Sequence, residues 1–171
     1  MAFISISITK NHPLILGKGG FGRQLADWLS AEGWGEAEFL DDNAPGGLRD
    51  YADPKLLKPG RPAFVALGDN PLRVELLQKL AAAGYDTPVF ISDMAAVSPS
   101  AVLEPGCVIL PQAYVGADAH LGVGCIINGG AIVDHDAVLG RGVHVAPGGI
   151  VKAGAKVEAL TKVDSGEIIK K

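Results

Sequence analysis

From Val97 to Val157 every sixth residue is aliphatic: Val97, Leu103, Ile109, Val115, Leu121, Ile127, Val133, Leu139, Val145, Val151 and Val157. Two residues before nearly all of them stands a small side chain, at Ala95, Ala101, Cys107, Ala113, Ala119, Cys125, Ala131, Ala137, Gly149 and Ala155; Val143 is the break in this second register. Helices repeat every 3.6 residues and half-buried strands every two, so neither gives a strict period of six. A hexapeptide-repeat parallel β-helix does. Three hexads make one triangular coil, with the aliphatic residue pointing into a thin prism core. The small residue fits a corner too tight for a bulky side chain. A loose Val/Ala/Gly-rich sheet, the alternative, has no reason to keep this spacing.

Length and charge narrow the rest. The chain has 171 residues, enough for one or two small domains. Its net charge is −4, and Arg141 is the only Lys or Arg between Leu80 and Val151. Nucleic acid and anionic membrane are therefore not expected as partners. No basic stretch followed by an apolar run opens the chain, and no segment reaches the roughly 20 apolar residues that span a bilayer. The expectation is a cytoplasmic protein. Cys107 and Cys125 are 18 residues apart, one coil. They should stack on neighbouring rungs about 4.8 Å apart. That distance admits a disulfide, but without an export signal they read as reduced core fillers.

Ahead of the repeat, strand and helix patterns alternate as in a small parallel α/β domain. Residues 1–11 alternate Ile with Ser or Thr, as an edge strand or a disordered start. Pro13–Leu16 reads as a buried strand, followed by Gly17-Lys18-Gly19-Gly20-Phe21-Gly22 and a helix from about Arg23 to Ala31. Strand, Gly-x-Gly-x-x-Gly and helix form a phosphate-binding turn, or a tight turn with no ligand. A second strand, Ala37–Leu40, ends at Asp41-Asp42, which would bind a ribose or base edge, or form an acidic surface turn. Further expected elements are a strand over Arg61–Leu67 closed by Gly68-Asp69-Asn70, a helix from Pro71 to Ala83, and a strand over Thr87–Ile91. All three candidate ligand loops follow the C-terminal ends of strands, where open α/β sheets bind ligands.

Within the repeat, Asn128, Asp134, His135, Asp136 and His144 interrupt the apolar pattern. A carboxylate beside His135 would raise its basicity, and an oriented histidine is the commonest general base. The alternative is a turn histidine bonded to a neighbouring Asp. No Ser–His–Asp arrangement is legible, and His135 with His144 makes no convincing metal site.

The whole order resembles the sugar acyltransferases of the sialic acid O-acetyltransferase and bacillosamine N-acetyltransferase type. The resemblance covers about residues 13–150 and is most specific from Asn128 to Gly148. It implies a Rossmann-like nucleotide-sugar-binding domain over residues 1–94, then a short all-β left-handed parallel β-helix over 95–157, with 158–171 as a polar tail. It also implies acetyl-CoA as co-substrate, no metal, and a homotrimer with sites between subunits. His135 would be the base and Asp136 its acidic support; Asn128, His144 and Gly154 would line the acetyl-CoA site. Gly17, Gly19, Gly20, Gly22, Asp41, Asp42, Gly68 and Asn70 would hold a UDP-amino sugar. The implied reaction is transfer of an acetyl group to the sugar amine. O-acetylation of a sialic acid or related sugar, or a non-catalytic sugar-nucleotide-binding subunit, is the alternative. The full pattern stops near Val157, so the prism is expected to be short and to bind acetyl-CoA weakly unless residues 158–171 fold back as a wall.

Overall fold

The computed structural model describes residues 12–43, 47–53 and 55–171. The alternating segment over residues 1–11 lies outside the described residues.

The first region is a three-stranded parallel sheet with two helices. β1 (Leu14–Leu16) is central, flanked by β2 (Glu38–Leu40) and β3 (Ala63–Val65), in the order β2-β1-β3. An unbroken Leu-Ile-Leu suits a strand covered on both faces, and all three residues are buried. α1 (Gly20–Ala31) follows β1 and starts three residues earlier than expected, because Gly20 and Gly22 themselves form its first turn. α2 (Asn70–Ala82) follows β3. The Asp69 carboxylate caps it by accepting the Leu72 N–H at 2.8 Å, and Pro71 sits in the first turn, where a missing donor costs nothing. No described helix is long and apolar enough to cross a membrane.

The strand expected over Thr87–Ile91 does not join this sheet. Phe90–Ile91 pairs with Val108–Ile109 instead and is the first rung of the β-helix. The repeat thus begins ahead of residue 95. Apolar pairs after a helix look alike whichever sheet they enter; only pairing decides.

Three parallel sheets form the prism. Face I stacks Phe90–Ile91, Val108–Ile109, Ile126–Ile127, His144–Val145 and Lys162–Val163. Face II stacks Ala96–Val97, Tyr114–Val115, Ile132–Val133, Ile150–Val151 and Ile168–Ile169. Face III stacks Val102–Leu103, His120–Leu121, Val138–Leu139 and Lys156–Val157. Residues 158–171 are therefore not a tail. Lys162–Val163 pairs with His144–Val145, and Ile168–Ile169 with Ile150–Val151, so the chain adds most of another coil. Thr161 and Glu167 stand at the small-residue station of this coil. Inside, Ile109, Val115, Leu121, Ile127, Val133 and Val145 are fully buried with the small corner residues. Cys107 and Cys125 are free thiols in that core.

The α/β region covers the first three rungs of face I. Phe90, Val108 and Ile126 point outward from the prism into one cluster with Ile15, Leu25, Leu29, Phe64 and Ala66. Each such side chain, fully buried, contributes about 1.5–3 kcal/mol, so the two regions share a core rather than a linker. Arg73 of α2 pins the junction. Its guanidinium is buried and donates to the carbonyls of Leu67 (2.8 Å), Gly124 (2.9 Å) and Gly142 (2.7 Å), the last two on successive coils. Burial pulls its pKa down to about 10, leaving it charged at neutral pH.

Candidate active site

At the C-terminal edge of the α/β sheet, the glycine turn folds because two of its glycines are forced. Gly17 has φ +102, and a Cβ there would stand 2.8 Å from the Ala66 carbonyl oxygen. A Cβ on Gly22 would collide with the Gly17 carbonyl oxygen, so only glycine lets α1 start this close to β1. Gly19 and Gly20 face open space.

Beside them lies an open pocket of about 280 Å³ lined by Lys18, Gly19, Arg23, Asp41 and Asn43. Asp41 accepts the Lys18 N–H at 2.6 Å, and the Asn43 backbone N–H at 2.9 Å with its side-chain amide at 3.1 Å. These donors, the Lys18 N–H foremost, hold its carboxyl below the usual carboxylate range. Two cations beside the uncapped start of α1 suit an anionic ligand.

The other residues expected here behave differently. Asp42 turns to the following loop, where it accepts the Leu48 N–H at 2.8 Å. Asn70 is buried at the junction and donates to the Leu160 carbonyl at 2.9 Å. Gly68 does not line the pocket. Lys18, Arg23 and Asn43 were missed by the sequence reading; the signal was their spacing around the glycines and Asp41.

The second cluster sits on the prism. His135 and Asp136 form the turn between faces II and III, both side chains exposed. The His135 Nδ1 lies 2.7 Å from an Asp136 carboxylate oxygen. With Nδ1–H donating to that carboxylate, Nε2 carries the free lone pair and faces solvent. The Asp136 contact, aided by the charge of Asp134, raises the His135 pKa above its usual value. Gly154 lies on the coil beneath, where its N–H donates to the His135 carbonyl at 2.9 Å. That N–H is thus already used, whereas the N–H of Ala153 makes no hydrogen bond among the described residues.

Asn128 and His144 are brought together, but not beside His135. Asn128 lies on the turn between faces I and II, and its amide nitrogen is 3.3 Å from Nε2 of His144 on face I. Burial, then the charges of Arg73 and Lys162, push His144 down to about 4, so it is neutral at pH 7. Its Nδ1 is buried and lacks a partner among the described residues. No group of three or more His, Cys, Asp or Glu among the described residues could hold a metal.

Known proteins share both regions. Residues 14–80 match the family model described as the PglD N-terminal domain. The acetyltransferase domain of PglB from Neisseria gonorrhoeae is 32% identical with a TM-score of 0.77, over 93% of this chain and 87% of that one. The same domain is also known in complex with acetyl coenzyme A. A histidine-to-asparagine mutant of perosamine N-acetyltransferase from Caulobacter crescentus, in complex with CoA and GDP-perosamine, is 33% identical with a TM-score of 0.81, over 88% of this chain and 76% of that one. WeeI from Acinetobacter baumannii, at 14% identity and a TM-score of 0.66, shares the fold. No curated protein matches the chain. With a third of its residues identical to these enzymes across both the α/β region and the β-helix, the chain belongs to the PglD-like family of hexapeptide-repeat sugar acyltransferases.

Proposed function

We propose that this protein transfers the acetyl group of acetyl-CoA to an amino group of a nucleotide-linked amino sugar, with His135 as general base. The observation that carries the reading is the His135–Asp136 pair, 2.7 Å apart, with Nε2 free at an exposed prism corner. Nε2 takes a proton from the sugar amine as its nitrogen attacks the thioester carbonyl. The C–N bond forms, the C–S bond breaks, and the proton passes to the leaving thiolate. Asp136 fixes the tautomer and stabilises the imidazolium between these steps. The N–H of Ala153, one coil beneath and without a partner among the described residues, is the donor for the oxyanion.

The acceptor's nucleotide is assigned to the pocket of Lys18, Gly19, Arg23, Asp41 and Asn43, whose cations match a diphosphate. The perosamine N-acetyltransferase relative is described with a GDP-linked sugar. The narrower reading for this chain, a UDP-linked sugar, rests on Asp41 as the acceptor for a base N–H.

A homotrimer completes the site. Face II presents an outward column of Ala96, Tyr114, Ile132, Ile150 and Ile168 that the described residues leave largely uncovered, with Ile168 48% exposed. Three copies with face II turned toward a threefold axis bury this column and close on themselves. The same arrangement carries the His135 corner of one protomer toward Asn128 and His144 of the partner subunit, which a single chain keeps apart. Light scattering showing a stable monomer at micromolar concentration refutes this assembly.

Thiol release from acetyl-CoA, measured with a panel of UDP- and GDP-linked amino sugars and sugars lacking the amine, tests the reading. Release only with amino sugars is expected, and the preferred nucleotide decides the narrower point. Release with hydroxyl-only sugars would establish O-acetylation. The coil formed by residues 158–171 lengthens the prism beyond Val157 and so supports the catalytic reading over the non-catalytic alternative.

A further inference from the structure

We propose that Gly116 and Asp134 are positioning residues that clamp the backbone of His135 and so aim its imidazole; the proposal rests on His135 acting as the base. The residue following each face II strand recurs once per coil, as Ser98, Gly116, Asp134, Lys152 and Lys170. The repeat therefore accepts side chains at this station, and glycine stands there on the coil directly above His135. A Cβ at Gly116 would lie 2.5 Å from the backbone nitrogen of His135 and 2.9 Å from the carbonyl carbon of Asp134. Non-bonded carbons pack at about 3.5–4.0 Å, so the His135 turn is drawn up against bare backbone.

It is held there from every side. The Gly116 N–H donates to the Val133 carbonyl at 2.8 Å, and the Asp136 N–H donates to the Ala117 carbonyl at 2.9 Å. From beneath, the Gly154 N–H donates to the His135 carbonyl at 2.9 Å. The Asp134 carboxylate accepts the His135 N–H at 2.8 Å. The imidazole is exposed, and among the described residues its one hydrogen-bond partner is Asp136. Little besides the backbone sets where the ring points, and a methyl group at Gly116 must push that backbone away.

The repeat supplies its own controls. Gly122 and Gly140 hold the same station on face III, where a Cβ would lie 2.6 Å from the nitrogens of Arg141 and Ala159 respectively. Gly122→Ala therefore imposes nearly the same clash at a corner remote from His135.

Full-length Gly116→Ala, Gly122→Ala and His135→Ala are compared by thermal melting, kcat, KM and the pH dependence of kcat. The two glycine variants should lose similar Tm. Gly116→Ala alone should lose about tenfold or more in kcat, since a misplacement near 1 Å costs on the order of 10²-fold. Its KM should hold, and the acid limb should move to lower pH as the Asp136 contact loosens. Equal kcat in the two glycine variants, or an unmoved acid limb, overturns the clamp while leaving the base reading intact. Full activity in His135→Ala overturns the base reading and the clamp with it. Should Gly116→Ala fail to fold, Asp134→Ala releases the same turn without adding volume. A kcat loss restored by Asp134→Asn, which still accepts the His135 N–H, supports the clamp; unchanged kcat in Asp134→Ala refutes it.

Discussion

The α/β region and the β-helix hold their functional groups by different means. In the α/β region the pocket is made by loop ends: Asp41 is fixed by the Lys18 N–H from a neighbouring strand's turn and by Asn43 two residues on. In the β-helix each turn is fixed by the coils above and below, as His135 is by Gly154 and Asp136 by Ala117. Loop ends can be reshaped without disturbing the sheet, which suits a ligand that varies. A corner locked between coils suits a reaction whose geometry must not vary.

The comparison is sharpest at His135. Replacing it with alanine should lower kcat by about 10²–10⁴-fold, the usual size of a general-base effect, with the urea midpoint unchanged because the side chain is exposed. Unchanged turnover would eliminate His135 as the base.

Next comes the junction. Arg73→Met removes the donors to Leu67, Gly124 and Gly142. Each buried carbonyl left unpaired costs about 1–3 kcal/mol, so a loss of about 3 kcal/mol or more is expected. Chemical denaturation should show it, with the unfolding of the two regions separating. A loss below about 1 kcal/mol would mean that the apolar cluster alone joins them.

Asp41 and Asp42 test the pocket from within. Asp41→Ala should weaken nucleotide-sugar binding by roughly tenfold, about 1.4 kcal/mol, and leave acetyl-CoA affinity alone. Asp42→Ala, which frees the Leu48 N–H, should change stability rather than affinity. Calorimetry in which Asp42 matters more than Asp41 for nucleotide-sugar binding would move the site.

The last test is a pH dependence of stability. His144 has a folded pKa of about 4. Both states are neutral well above the usual histidine value of about 6.5. Below it the unfolded chain takes up a proton that the folded chain refuses until about pH 4, so stability falls as pH drops through that window. His144→Asn should flatten this slope; an unchanged slope would mean that His144 is protonated in the fold.

Much of this was legible in the residues. The hexad period specified the prism because one repeated environment demands one repeated residue type. The same regularity made His135, Asp136 and Asn128 visible as departures. The glycine turn was legible because Gly17 and Gly22 answer local collisions within a single βα unit. The coil over residues 158–171 was not: Thr161 and Glu167 break the small-residue rule, and only the pairing of Lys162–Val163 and Ile168–Ile169 with the coil before them reveals it. Pairing moved Phe90–Ile91 from the sheet to the prism.

What the sequence determined by itself was therefore whatever depends on neighbours at fixed spacing: the period, the corners, the glycine turn and the His–Asp pair. Only the tertiary structure decided which polar residues serve the junction and which line an open pocket. Asp41 and Asp42 are adjacent and chemically identical, yet one lines the pocket and the other caps a loop. Asn70, expected beside the nucleotide sugar, and Arg73, which no motif singles out, instead donate to carbonyls across the junction once the prism is laid against α2. Burial by a distant segment leaves no periodic trace in sequence, because the partner's distance along the chain is set by the fold and not by any local repeat.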